Sequence, residues 1–211
     1  VENFGFVYSQ IQSHVLSVFT IGMLNLNHPV LANGACLLIN RDDFLSVNPF
    51  KDNYNIDSGD DLFILEVFKK NNLSIVATSP YLFSIYTSGP ETLRSYISRS
   101  LRWSGKMSNV KLSSTKLYGI IILMTNLITL IMLYRVIFNY SIEAYSYLLI
   151  KLGLDLTISF LSTYHFKNKK IFLFSLSLFF LYPFFLLTNS VLLIFNYPNY
   201  WKGRKVMNSS N

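Results

Sequence analysis

The chain has 211 residues, of which 51% are hydrophobic and only 14% charged, with 18 Lys+Arg against 11 Asp+Glu and a formal net charge of +7. Its mean hydropathy is +0.36, and a soluble domain ordinarily carries about 25% charged residues, so composition argues against a simple soluble protein. The 18 Phe and 14 Tyr exclude a disordered chain, and a single cysteine, Cys36, excludes a disulfide framework or a Cys-rich zinc site.

From the N-terminus, Phe4–Met23 is long and uncharged, but Ser9, Gln10, Gln12, Ser13 and His14 interrupt its middle. That pattern predicts a partly buried helix rather than a membrane span. His14, His28 and His165 are isolated from other ligand-type residues and receive no chemistry. After Asn33-Gly34, the run Ala35–Asn40 reads as a short buried strand entered through a glycine turn, with Cys36 as a small buried residue in it. Asp57-Ser58-Gly59-Asp60-Asp61 then precedes LFILEVFKKNN, where Leu62, Leu65 and Phe68 recur every three residues. The acids fall on the first turn of a helix; capping alone accounts for one of them, and the others exceed what a cap needs.

Leu73–Thr78 and Leu82–Thr87 read as strands, separated by Ser79-Pro80. Ser88-Gly-Pro-Glu91 fits a capping box opening the next helix. On that helix Leu93, Tyr96, Ile97, Leu101 and Trp103 share one arc, and Arg94, Arg99, Arg102 and Lys106 the opposite one. A basic amphipathic helix directly ahead of a membrane span lies in the interface. Leu117–Phe138 and Ile171–Phe195 are each long enough to cross the roughly 20-residue hydrocarbon thickness. Ile142–Thr163 is weaker, carrying Glu143, Lys151 and Asp155, the last two spaced to pair on one helical face.

Charge is distributed by region. Residues 1–91 hold nine acids and four bases, 92–116 hold six bases and no acid, and the remainder holds eight bases and two acids. A nucleic-acid binder would be basic throughout, so no nucleic acid is expected as partner. Bases before the first span place the preceding region in the cytoplasm, and Lys167, Lys169 and Lys170 return there after two crossings. Three plain spans would put Lys202, Arg204 and Lys205 outside; a re-entrant segment broken at Pro183 would keep them inside.

In order, these features are Gly34 leading a strand toward Arg41, SGDDLFIL at 58–65, a strand pair, RSLRWSGK on an interface helix, spans, and Trp201-Lys202-Gly203-Arg204. This order resembles the C-terminal half of a membrane-bound family 2 glycosyltransferase, the group of cellulose, chitin and hyaluronan synthases and bacterial cell-envelope transferases. The resemblance is closest over residues 33–106. It implies an α/β GT-A-like partial domain over residues 1–89, an interface helix region over 90–116 and a membrane region over 117–211. It further implies an inverting sugar transfer from a nucleotide-diphosphate sugar to a glycan or lipid-linked acceptor at the cytoplasmic face of the inner or plasma membrane.

The same resemblance makes Asp61 the general base and Asp60 its supporting acid. It gives substrate contacts to Arg102, Trp103, Arg99, Gly34 and Arg41. Arg99 stands where the family's Gln-x-x-Arg-Trp motif has Gln, which counts against close equivalence to the processive synthases. A divalent cation, Mg or Mn, is implied, but its Asp-x-Asp motif is absent here and belongs to a preceding nucleotide-binding half. With a Val start, the expectation is a fragment that does not turn over alone. The competing expectation is a non-enzymatic polytopic membrane protein, a transporter or assembly subunit with a small cytoplasmic cap.

Overall fold

A computed structural model describes residues 4–51, 59–77, 85, 87–109, 113–195, 197, 199–201 and 204–206. Among the described residues seven helices run in chain order: α1 (Phe4–Asn25), α2 (Arg41–Val47), α3 (Asp60–Lys70), α4 (Leu93–Asn109), α5 (Ser113–Asn139), α6 (Ile142–Phe166) and α7 (Lys169–Ile194). The strand structure among the described residues is one antiparallel ribbon of β1 (Asn199–Trp201) and β2 (Arg204–Val206), with Tyr200 opposite Lys205.

This helical architecture overturns the α/β GT-A-like domain expected over residues 1–89. Ala35–Asn40 is not a strand: Leu37 and Leu38 are exposed, Leu38 by 96%, and no described strand lies beside them. Extended chain buries its backbone groups only by pairing, and here Asn40 ends the run by capping α2, its side-chain oxygen accepting from the amides of Asp42 and Asp43. Cys36 is exposed rather than buried. Residues 73–77 form no regular element, and 78–84 and 86, where the other expected strands fall, lie outside the described residues.

Three helices are long and apolar enough to cross a membrane: Ser114–Asn139, Ile142–Phe166 and Phe174–Ile194. With this apolar surface the chain is a membrane protein. α5 and α6 form an antiparallel hairpin. The Tyr147 hydroxyl donates to the Thr125 carbonyl at 3.0 Å, and Arg135 sits 3.8 Å from Glu143 at the hairpin's turn. Lys151 pairs with Asp155 one turn on and lies 4.9 Å from the Phe179 ring of α7, so the charged interruption of α6 faces its neighbour. α7 continues through Pro183, which is buried inside the helix, as the default of three plain spans has it rather than the alternative of a segment broken there.

α1 packs across this bundle instead of entering a sheet. His14 stacks on Phe166 at 4.0 Å, Phe19 meets Tyr118 edge-on at 5.8 Å, and the Tyr8 and Ser177 hydroxyls are 2.6 Å apart. Of the polar residues that interrupt α1, His14 is therefore a packing contact and Ser9 a hydrogen-bond partner of Arg99. α4 opens with a reciprocal cap between Thr92 and Ser95, each side chain accepting the other's amide at 3.1 Å. This cap replaces the expected Ser88–Glu91 box: Ser95 answers Thr92 as a Glu would, one turn further along. α4 then buries Tyr96, Ser100 and Leu101, stacks Tyr96 on Phe185 at 4.7 Å, and receives a hydrogen bond at Ser100 from Asn189.

Candidate functional site

α3 starts at Asp60 because Gly59, at φ 119°, turns the chain in a conformation that favours glycine. A side chain at Gly59 would also meet the Phe63 ring at 3.3 Å. Gly59 offers no side-chain cap, so the first-turn amides look to the acids: Asp61 Oδ1 accepts its neighbour Leu62's N–H at 3.0 Å. Leu62, Phe63, Ile64, Leu65 and Phe68 are buried and hold the helix in place. Asp60 stays exposed while Asp61 is half-buried, so the two acids are already differentiated by the helix that carries them.

The second oxygen of Asp61 reaches outside its own helix. Oδ2 accepts the Gly34 N–H at 3.2 Å across 27 residues of sequence. A Cβ at Gly34 would stand 3.4 Å from that oxygen, so the loop approaches the carboxylate as closely as a glycine allows. Arg102 of α4 is the third member. Burial lowers its affinity for a proton, and the Asp61 charge opposes that effect by favouring the guanidinium. One carboxylate thus accepts from the Gly34 loop and acts electrostatically on α4.

Arg99 and Trp103 lie beside this group with a different arrangement. The Arg99 guanidinium lies 4.5 Å from the Trp103 ring centre and donates from Nη1 to the Ser9 hydroxyl at 3.0 Å. Burial, then the neighbouring Arg102 charge, pull its proton affinity down. Arg99 is therefore folded back onto α1 rather than presented on the solvent arc, because its planar head can stack and hydrogen-bond at once. Arg41 sits on the exposed start of α2, 3.9 Å from Asp42, both side chains more than four-fifths exposed. The structure brings Gly34 onto Asp61, puts Arg102 within the reach of the Asp61 charge, sets Arg99 and Trp103 adjacent, and leaves Asp60 and Arg41 on the surface.

Two contributors escaped the sequence. Ser9 anchors Arg99, and its signal was the polar patch in α1. Gly89 packs so closely under Phe6 that a Cβ would fall 2.2 Å from the ring, closing the joint between α1 and α4; nothing in the sequence distinguishes it from an ordinary turn glycine. Among the described residues no group of three or more His, Cys, Asp or Glu could hold a metal ion. Asp60 and Asp61 alone do not fit a divalent cation, which needs about six oxygen ligands.

A carboxylate that accepts the Gly34 amide, lies within the electrostatic reach of a guanidinium, and sits half open to solvent at the start of a helix can accept a proton from a hydroxyl placed against it. The adjoining arginine can neutralise a phosphate or a developing anion. No family model, no curated protein and no solved structure matches this chain.

Proposed function

We propose that the chain carries the acceptor side of an inverting, membrane-bound sugar transferase. The donor is a nucleotide-diphosphate sugar and the acceptor a glycan or lipid-linked hydroxyl. The observation that supports the reading is the convergence of Gly34, Asp61 and Arg102, which come from three separate segments and which the family resemblance had singled out independently. Asp61 takes the acceptor's proton as its oxygen attacks the anomeric carbon. The bond from that carbon to the diphosphate oxygen breaks with inversion, and the nucleoside diphosphate leaves with the electron pair. Arg102 stands where it can offset that leaving charge. Trp103 offers a ring face suited to a sugar.

The site belongs on the cytoplasmic face of the inner or plasma membrane, where nucleotide sugars are available and where the basic residues flanking the spans direct it. The test is Asp61→Asn in membranes expressing the gene, assayed for incorporation of labelled sugar from a panel of nucleotide sugars. Loss of transfer with unchanged membrane insertion supports the role; retained transfer removes Asp61 from it. The second reading, a polytopic assembly or transport subunit without enzymatic activity, draws on the helical bundle and its three apolar helices. It predicts no incorporation from any donor and no effect of Asp61→Asn on the function of the assembly.

A further inference from the structure

Lysines gather at one end of the bundle. α5 begins, α6 finishes and α7 starts at the same end, since α5 and α6 are antiparallel and α1 bridges Tyr118 to Phe166. Lys116, Lys167 and Lys169 are exposed there. α3, which is no membrane span, adds two more: Lys69 Nζ donates to the Ser114 hydroxyl at the first turn of α5 at 3.3 Å, and Lys70 follows it, exposed. The neighbouring Thr115, fully buried, donates to the Val30 carbonyl at 2.9 Å and fixes the incoming loop at the same level. At the turn of the α5–α6 hairpin, Arg135 and Glu143 face each other at 3.8 Å.

We infer that Lys69, Lys70, Lys116, Lys167 and Lys169 form a collar for the headgroups of anionic phospholipids, and that α3 is clamped to the membrane surface through Lys69 and Lys70. The hydrocarbon thickness that α5 must cross begins just beyond Ser114, so ammonium groups at that level meet lipid phosphates. Each lysine near an anionic leaflet favours association by about fivefold. The clamp also acts as a ruler. Asp61 lies eight residues before Lys69 on the same helix, so α3 sets it about 12 Å along the helix axis from the residue that meets the headgroups. This inference concerns lipid contact alone and stands or falls apart from the transfer reading.

The experiment places the purified chain in nanodiscs of mixed phosphatidylcholine and phosphatidylglycerol, extracts it and counts co-purifying lipids by native mass spectrometry. The unaltered protein is expected to be enriched in phosphatidylglycerol, with the enrichment falling as salt rises. K69Q/K70Q is expected to cut that enrichment by roughly an order of magnitude, K116Q by less, and K69R/K70R not at all. The proposal is overturned if phosphatidylglycerol is not enriched, if enrichment ignores salt, or if K69Q/K70Q matches the unaltered protein while K116Q does not. Should K69Q/K70Q fail to insert, the salt titration of the unaltered chain and the arginine variant decide between the same outcomes.

Discussion

Two acid–base neighbourhoods in this protein are built in opposite ways. Lys151 and Asp155 meet one turn apart on α6, so any helix over those residues brings them together, and the pair is closed by its own element. Asp61 and Arg102 are neighbours only because α3, the Gly34 loop and α4 arrive at one place. The first arrangement satisfies charges that the bilayer would otherwise penalise. The second spends tertiary structure on positioning one half-open carboxylate, and a fold has no structural need to do that. The contrast separates a charge pair that secures a helix from one that can meet a substrate.

The contrast breaks most sharply at Asp61. Asp61→Asn is expected to lower sugar transfer by about 10²–10⁴-fold, the contribution of a general base, while leaving the melting temperature in detergent nearly unchanged; the exposed Asp60→Asn measured alongside should fall far less. Lys151→Met should show the reverse, costing about 2–3 kcal/mol of stability because Asp155 is left unpaired. The double variant Lys151→Met/Asp155→Leu should recover most of that loss, read as the same melting temperature. Gly34→Val sharpens the first arrangement. Its added carbons would crowd Asp61 Oδ2, where even a Cβ would stand at 3.4 Å, and a displacement of that carboxylate should cost roughly ten- to a hundredfold in transfer.

The smallest effect is expected from His14, a titratable group belonging to neither pair. Burial holds its imidazole at about 4, below the ordinary 6.5, and Nδ1 has no hydrogen-bond partner among the described residues. The folded state therefore favours the neutral ring. Its contribution is complete above about pH 6.5 and is lost as pH falls toward 4. For a half-buried group this amounts to about 1–2 kcal/mol after allowance for solvent screening. Melting temperatures at pH 7 and pH 4.5 should differ more for the unaltered protein than for His14→Gln.

What was legible in the sequence follows from whether a signal is local. The start of α3 at Asp60 showed in its acids and in the three-residue recurrence of Leu62, Leu65 and Phe68, and the apolar helices showed in their length. Lys151–Asp155 showed because four residues is one turn. The strands expected at 35–40 and 73–78 rested on short apolar runs, which do not say whether anything covers them, and Leu38 and Val76 stand exposed. Arg99 was placed on the arc opposite Trp103, although the two are four residues apart and so share a helix face; its hydrogen bond to Ser9, 90 residues away, had no local signal. The convergence on Asp61 was legible only as a list of residues, because the contact to Gly34 spans 27 positions that no periodicity links.

The bond between Tyr8 and Ser177 sets a schedule. Its partners are 169 residues apart, and a ribosome adding about 5–20 residues per second needs roughly 8–35 s to make the second after the first. While α6 and α7 are still to be made, α1 has its own helical hydrogen bonds but not the partners it finally packs on, Phe166 and Ser177. It is thus completed long before it is seated, and a chaperone or the bilayer surface must shelter it until α7 emerges.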